Sequence, residues 1–591
     1  MARRAIILHE GSLTPREVRL GRILDFFGVP WKAAAVSEVP EMEGDSAECV
    51  VFGPICAVAA GLESRRQVNC AAPKLAAVYT YVGVDRPASE AAIQFLCGST
   101  DLSLQKPPAD NLSFLISRQF AGLAGPMAGL EVSCQLAEED AVLAGAIFDE
   151  RSGISPIISA GDLSVFVRWQ HNYGPIFLST SSQMIDIDQS VGRGFYDVKE
   201  HFCSVVPLVM FLRSMFPEIM WQPQEHGACL IIDDPLLRPR YGYCDFGKLR
   251  DLMQRYGFTT NIAFIPWNWR RTAPPAAEFF RSQPELFSLS IHGCDHIAGE
   301  FGAPSLDVLD NRARLAQTRM RNHEERTAIQ HDPVMVFPQG VFSSKCCQAL
   351  KRNGFLAAVN TEIVPVDSQN CRTRIRDVWD LAILSYDGFP IFTRRYASHG
   401  LENFAFDLLL GKPCLIVAHH EFFKDGGAGL IELIEKLRSL NITLRWQSLG
   451  EIVRRACRRR ATGMGVEEVE MYGTELRIDN PSDQAIEMKI RKRESQADLV
   501  SEIQCDGKPV VWTTDPEHLV FSERILPRSE KLFKVVYRNQ TDTPVIRRSL
   551  RYEISVAVRR VLSEFRDNYL SKNVLLSATA GSFKGALTRN N

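Results

Sequence analysis

Seven short apolar segments, separated by stretches with helical character, recur between residues 225 and 455. Each has the length and composition of a buried β-strand. Strands that alternate with helices over about 230 residues indicate a β/α barrel or a large parallel sheet. The segments read CLIID, TNIAFIP, FSLSIHG, PVMVFPQ, FLAAVN, AILSYDG and CLIVAHH.

The flanking parts of the 591-residue chain predict further domains, because one core cannot serve this length. Residues 1–195 begin as an α/β domain, with strand-like runs at 5–8, 49–52 and 75–82 that are compatible with a doubly wound sheet. Residues 14–17 (Thr-Pro-Arg-Glu) combine a cap, an N1 proline and a capping-box glutamate, which predicts a helix start. We predict a helical connector over 196–224, the barrel over 225–460, and a small β-sandwich with a C-terminal amphipathic helix over 461–591.

The C-terminal helix carries an apolar stripe that must be covered by something. Docking on the chain's own domain is the favoured interpretation, and a homodimer contact is the alternative. The stripe consists of Ile554, Val558, Val561, Leu562, Phe565 and Tyr569.

Composition and charge exclude several classes of partner. The chain is 45% hydrophobic and 23% charged, with a net charge of −2 and a pI near 6.7, so nothing favours nucleic acid or an anionic membrane. The arginines between 454 and 460 are interpreted as a solvated helix end. No signal peptide or membrane span is recognisable, and the 15 cysteines lack C-x-x-C spacing, so we expect reduced thiols and a cytoplasmic protein.

Titratable side chains follow three of the seven segments. Asp233 and Asp234 end the first, His292 and His296 end the third, and His419 ends the seventh. Taken singly, Asp-Asp-Pro is a good turn and a histidine pair is often structural. Together they lie at the carboxyl ends of predicted strands, the face on which β/α barrels assemble their sites. Two imidazoles and one carboxylate suit a divalent ion such as zinc, and the second carboxylate is free to act as a base.

Order and spacing of these residues resemble the polysaccharide deacetylase family, also called the NodB-homology domain or carbohydrate esterase family four. The resemblance covers about residues 225–455 and implies a distorted β/α barrel. It also implies that Asp233 is the catalytic base, that Asp234, His292 and His296 hold the metal, and that His419 is the general acid. The stretches CCQALKRNGFLAAVN and RWQSLGEIV are similar to later parts of the family's domain.

The third family motif departs from the pattern. Its arginine, which orients the base, is replaced by Phe337 in VFPQG, and a guanidinium could instead come from Arg394 or Arg395 in PIFTRRY, unless these are surface charges. The aspartate pair is followed by proline, so the next loop should take a different course. The tryptophans and arginines that follow the second segment, in WNWRR, suit the binding of a sugar ring. Tryptophans that simply pack within a loop would explain the same pattern. The predicted substrate-binding residues are Trp267, Asn268, Arg270, Pro338, Gln339, Arg394, Arg395 and His420.

The sequence thus predicts a metal-dependent deacetylase that hydrolyses an N-acyl group, such as an acetamido group, on a sugar or saccharide precursor. Two alternatives stay open. One is another metal-dependent carbohydrate-active hydrolase on the same barrel. The other is a non-catalytic sugar-binding or scaffold protein with a relic site, which the missing arginine supports.

Overall fold

An eleven-stranded sheet occupies the N-terminal part of the computed structural model, which describes residues 3–41, 49–68, 75–145, 153–192, 194–367, 373–462, 465–538 and 548–570. Strands β2, β1, β3, β4 and β11 are parallel neighbours, and the rest of the sheet is antiparallel. The elements are β1 Arg4–His9, α1 Pro15–Phe27, β2 Trp31–Ala35, β3 Cys49–Pro54, α2 Ile55–Val68, β4 Leu75–Tyr81, α3 Arg86–Cys97, β5 Leu102–Gln105, β6 Leu112–Ile116, α4 Ala121–Ala124, β7 Glu131–Cys134, β8 Val142–Gly145, β9 Ile154–Ala160, β10 Leu163–His171, β11 Gly174–Ser179 and α5 Phe202–Met215.

Local chemistry explains the first helix. Thr14 caps α1 by accepting from the backbone of Arg16, while the Glu17 carboxylate reaches back to the backbone of Thr14, and Gly28 ends the helix in the left-handed conformation. Helix α1 packs with Ile7 on one face of the sheet, whereas α2 and α3 pack on the other face. Both faces of the parallel half are therefore covered.

Helix α5 joins the N-terminal sheet to the next part of the chain. It is apolar all round and buried over almost its whole length, which is the pattern of a core helix. It packs between strand β11 and the helix Leu401–Leu410 of the following region. Because one continuous apolar core includes Ile7, Phe211 and Ile232, the two regions are packed directly together.

The next region is an α/β unit whose eight parallel strands curl into a nearly closed barrel, in the order β20-β19-β18-β17-β16-β13-β22-β21. The edge strands β20 and β21 are consecutive in the chain and are separated only by Arg394, so the barrel closes at this residue. The elements are β12 Gln222–Pro223, β13 Gly227–Asp233, β14 Arg240–Tyr241, β15 Cys244–Asp245, α6 Phe246–Tyr256, β16 Thr260–Phe264, α7 Pro274–Arg281, β17 Phe287–His292, α8 Leu306–Thr327, β18 Val334–Val336, α9 Ser344–Arg352, β19 Ala357–Asn360, α10 Ile375–Trp379, β20 Ile391–Thr393, β21 Arg395–Tyr396, α11 Leu401–Leu410, β22 Cys414–Ala418, α12 Ala428–Ser439, β23 Arg445–Trp446 and α13 Leu449–Arg455.

One of the seven predicted strands is wrong. The segment AILSYDG does not join the barrel, and the strand lies a few residues later, at β20. Ile383 instead forms an isolated antiparallel bridge with Ile391. Asp387 and Gly388 both have positive φ, at 59° and 65°, so the chain turns back where a barrel strand would have to continue.

Two further sheets enclose a separate apolar core at the C-terminal end. A six-stranded sheet, which includes β12 beside β24, faces a four-stranded sheet, and residues of both, such as Ile490 and Phe533, share that core. The elements are β24 Cys457–Ala461, β25 Val466–Met471, β26 Glu475–Asn480, β27 Ile486–Arg493, β28 Val500–Cys505, β29 Lys508–Val510, β30 Trp512–Asp515, β31 His518–Ile525, β32 Ser529–Tyr537 and α14 Leu550–Phe565, which continues as a π-helical turn over Arg566–Leu570.

The arginine cluster is not a solvated helix end. Arg458 and Arg460 lie on strand β24, directly opposite Glu470 and Glu468 of β25, and both pairs approach to 2.6 Å. Arg455 is buried and pairs with four carboxylates, three of them within 2.8 Å. The prediction missed this because the acidic partner strand comes only after the next turn, and cross-strand pairing overrides the helix-end pattern.

Helix α14 lies across the carboxyl ends of the barrel strands, which we call the barrel mouth. Its polar side chains face the mouth, and the six residues of the apolar stripe are 50–63% exposed, so docking of that stripe on the chain's own domain is wrong. A homodimer through the stripe stays a prediction. Within the described ranges, every helix is too short or too polar to cross a bilayer.

Candidate active site

Three predicted ligands converge at the barrel mouth. The Oδ1 atom of Asp234 lies 2.9 Å from Nε2 of His296 and 3.4 Å from Nε2 of His292, and the three ligand atoms fall within 4.8 Å of one another. That Oδ1 is inaccessible to solvent and has no hydrogen-bond partner among the described residues. The Nδ1–H of His292 donates to the carbonyl of Val336 at 3.0 Å, which leaves Nε2 as a lone-pair donor. Two nitrogens and one oxygen in this arrangement fit a divalent ion such as zinc.

Backbone conformation lets two adjacent aspartates serve one site. Successive side chains of a strand point to opposite faces, so Asp233 and Asp234 would diverge if β13 continued. Asp234 instead has φ of 78°, in the left-handed region that aspartate tolerates better than most residues. The reversal ends the strand and brings Asp234 to the histidines. His296 also has positive φ, at 57°, at the other side of the site.

Asp233 is held by a buried arginine. Nη1 and Nη2 of Arg394 each donate to one carboxylate oxygen at 2.6 Å, and both residues are only 4% exposed. Burial alone would raise the pKa of Asp233, but the guanidinium charge and its hydrogen bonds, with His292 and His419 nearby, hold that pKa below its usual value. Asp233 is therefore a fixed, ionised carboxylate. The place of the missing motif arginine is filled by Phe337, which is buried against Phe301 and Phe342.

A second carboxylate organises the loop that carries His296. Glu300 is buried, and its two oxygens accept from the backbone amides of Cys294, Asp295 and His296 at 2.8–3.0 Å. Gly293 starts this loop with φ of 64°, where a Cβ would come within 2.6 Å of the Glu300 carboxylate. Cys294, Asp295 and Glu300 also form a cluster with metal-ligand spacing. The Glu300 oxygens already bind amides and Asp295 pairs with Arg319, so the cluster serves the loop.

His419 follows strand β22 and is partly exposed at the mouth. Its Nε2 lies 3.4 Å from the hydroxyl of Tyr396, and burial raises the pKa of that phenol. Sequence reasoning did not select Tyr396, although it directly follows Arg394 and Arg395 in the chain. It also missed Glu300, which stands only four residues after His296; a carboxylate directly after Gly299 was the one signal in the sequence.

The predicted substrate-binding residues are dispersed. Arg394 contacts Asp233, and Arg395 is buried with Asp407 and the carbonyl of Tyr196, so both guanidinium groups are already engaged. Asn268 is buried and accepts from Arg271, while its amide nitrogen has no partner in the described chain.

The other predicted residues differ in exposure. Trp267 is half-buried beneath the Arg271 guanidinium, Arg270 is exposed over Trp269, and Gln339 is exposed beside the buried Pro338. Their role in substrate binding stays a prediction.

Helix α14 covers part of the mouth. Asp567 accepts from the Tyr241 hydroxyl at 2.8 Å and lies 3.7 Å from Nε2 of His420. Glu564 forms a two-point ion pair with Arg271. His420, a predicted substrate-binding residue, is therefore buried between α14 and Tyr243, and no sequence pattern within the barrel indicates this.

Comparisons with known proteins give structural neighbours only, because neither a family model nor a curated protein matches the chain. The crystal structure of Agd3, a novel carbohydrate deacetylase, is similar with 9% identity and a TM-score of 0.46, over 90% of this chain and 98% of that chain. A peptidoglycan N-acetylglucosamine deacetylase has 12% identity and a TM-score of 0.25, over 39% of this chain and 90% of its own. A family 4 carbohydrate esterase from Streptomyces lividans has 13% identity and a TM-score of 0.21, over 36% of this chain and 85% of its own. Likenesses at these values do not establish a shared activity, so the site itself must supply the evidence for function.

Proposed function

We propose that the chain is a divergent polysaccharide deacetylase that hydrolyses an N-acyl group on a sugar by means of a divalent metal, with zinc as the expected ion. The observation that carries the proposal is the buried Arg394–Asp233 pair beside the Asp234, His292 and His296 cluster. This pair supplies the base-orienting guanidinium whose absence from the third motif favoured a relic site. A relic site would have no need of a buried ion pair next to three unused ligand atoms.

Each residue has a separable task. An ion held by Asp234, His292 and His296 would supply Lewis acidity for the acyl carbonyl and lower the pKa of bound water. Asp233 is ionised at neutral pH because Arg394 lowers its pKa, so it can accept the proton of the attacking water. The two hydrogen bonds from Arg394 fix the plane of that carboxylate. His419 then donates a proton to the departing amine, and Tyr396 lies within reach of the same ring nitrogen.

The first alternative, another carbohydrate-active hydrolase on the same barrel, would cleave a glycosidic bond and fits the site less well. It requires two carboxyl groups on either side of a glycosidic bond, one of them protonated at working pH. Asp233 has a pKa below its usual value, because the Arg394 guanidinium and its hydrogen bonds outweigh burial. Asp233 is thus ionised and Asp234 is a proposed metal ligand, so neither is placed to act as the acid.

The test combines metal analysis with acetate release. The full-length protein should contain about one divalent ion per chain and release acetate from at least one N-acetylated saccharide in a screen of mono- and oligosaccharides. His292→Ala/His296→Ala should lose both the metal and the activity. Sugar binding without acetate release from any saccharide would favour the scaffold alternative instead.

A further inference from the structure

The inward face of helix α14 and of the residues that flank it is lined mainly by charged or polar side chains. From the start to the end of the segment these are Arg548, Tyr552, Arg560, Glu564 and Asp567. Arg548 and Tyr552 bind Asp295 in the loop after β17, Glu564 binds Arg271 after β16, and Asp567 binds Tyr241 after β13. The helix therefore crosses the mouth from strand to strand, directly above the loops that carry His296 and Asp234.

Arg560 lies in the middle of this face, and none of the described residues provides an anionic partner for its guanidinium. It is 2% exposed, its Nε is inaccessible and lacks a hydrogen-bond partner, and no carboxylate of the described residues pairs with it. The side chains one turn on either side are Val556, which is buried, and Glu564, which is engaged by Arg271. A buried guanidinium without an anion is costly, and arginines in such positions are normally paired.

Five carboxylates at the barrel mouth already have partners of their own. A guanidinium reaches Asp233, Asp295, Glu564 and Asp567 within ion-pair distance, and two imidazoles approach Asp234. Adding a divalent ion at Asp234 would only increase the positive charge. Each of these carboxylates is thus already engaged, and none of them is left to pair with Arg560.

Tyr241 connects the helix that carries Arg560 with the loop that follows Asp234. Burial raises the pKa of the Tyr241 phenol, the negative charges of Asp567 and Asp234 raise it further, and the Arg560 charge lowers it. Tyr241, seven residues after Asp234 in the chain, is joined to the end of the helix by its hydrogen bond to Asp567. A sugar bound with its acyl group at Asp234 would extend beneath α14.

We propose that Arg560 binds an anionic oxygen group of the substrate, so that the preferred substrate is an acidic N-acylated sugar bearing a carboxylate or a phosphate. The inference rests on the proposed deacetylase function and narrows its substrate class. A planar fork of donors binds both groups well, which explains an arginine at this position rather than a lysine. The helix that supplies it lies outside the barrel, so the anion site is added to the mouth from another part of the chain.

Binding of three matched probes tests the proposal. N-acetylglucosamine, its 6-phosphate and its 6-carboxylate (2-acetamido-2-deoxyglucuronate) are titrated calorimetrically into the metal-loaded full-length protein. The wild type should bind at least one acidic probe roughly ten- to a hundredfold more tightly than the neutral probe, as one buried charge-assisted contact implies. The phosphate and carboxylate arms show which group is preferred. In Arg560→Gln the preference should disappear, and Arg560→Lys should restore part of it.

Matched controls separate this site from general electrostatics and from folding. Arg551→Gln removes the same charge from an exposed position on the same helix and should keep the preference. The unfolding temperature of Arg560→Gln should stay unchanged or rise, because an unpaired buried charge is removed. A fall of several degrees in that temperature, or equal affinities for all three probes in the wild type, would overturn the proposal.

Acetate release from the same mixtures tests the proposed function separately. Acidic preference that depends on Arg560, without acetate release, would support the anion site and reject the hydrolytic function. Acetate release with no preference for acidic probes would support the deacetylase and reject the role of Arg560.

Discussion

Replacement of Arg394 by methionine tests the central contact of the site. The guanidinium makes two hydrogen bonds of 2.6 Å to Asp233, and the pair is almost completely buried at 4% exposure for each residue. Methionine keeps much of the volume and removes the charge. The variant therefore leaves a buried carboxylate whose main counter-charge is gone, which is the most costly way to break an ion pair.

The expected loss is about 3–5 kcal/mol of the free energy of unfolding of the barrel at pH 7, in metal-free protein. Its pH dependence follows from the pKa of Asp233. In the wild type the folded state lowers the pKa of Asp233 below its value in the unfolded chain, which is about 3.9. The ion pair therefore stabilises the fold at any pH above about 3.9, and this stabilisation is lost as the pH falls through the pKa of Asp233 in the folded state. In Arg394→Met the guanidinium no longer counteracts the effect of burial, so the pKa of Asp233 rises. The deficit of the variant should shrink on acidification, because a protonated Asp233 needs no counter-charge.

Urea denaturation in EDTA between pH 4.5 and 8, followed by tryptophan fluorescence, measures this difference. Arg240→Met is the matched control, since Arg240 pairs with Asp245 at an exposed position and its loss should cost less than about 1 kcal/mol. Asp233→Asn combined with Arg394→Met should recover part of the stability that Arg394→Met loses. Equal stability of wild type and Arg394→Met at pH 7, or a deficit that does not vary with pH, would refute the reasoning.

Three further substitutions separate roles within the site. Asp233→Asn should retain metal while turnover falls roughly 10²- to 10⁴-fold. Asp234→Asn should lose metal and activity together. Elemental analysis measures the metal content, and equal metal loss in both variants would mean that both carboxylates are ligands. Glu300→Gln should weaken metal affinity about 10- to 100-fold without removing a ligand, because a single amide oxygen cannot accept from three backbone amides. An unchanged affinity in a competition titration with a chelator would contradict that role for Glu300.

Several features could be predicted from the sequence because their causes are local. Apolar strand-like segments predicted the strands of the barrel, and the capping residues around Thr14 predicted the start of α1. Aspartate and histidine side chains at the ends of those segments had to meet, since parallel strands bring their carboxyl ends to one edge. The segment AILSYDG misled the prediction because hydrophobicity does not register a turn at Asp387 and Gly388.

Contacts between distant parts of the chain were decided by the tertiary structure alone. Arg394 follows Asp233 by 161 residues, and only closure of the barrel between β20 and β21 brings its guanidinium to that carboxylate. Helix α14 reaches the mouth from beyond the C-terminal sheets, and Asp567 meets Tyr241 across 326 residues. Periodicity correctly indicates that α14 is amphipathic, but not which face packs inward, because buried ion pairs can hold a polar face against the barrel. The residue types at each strand end can thus be read from the sequence. The orientation of Asp233 by Arg394 and the covering of the barrel mouth by α14 depend on how the barrel and the C-terminal helix pack together.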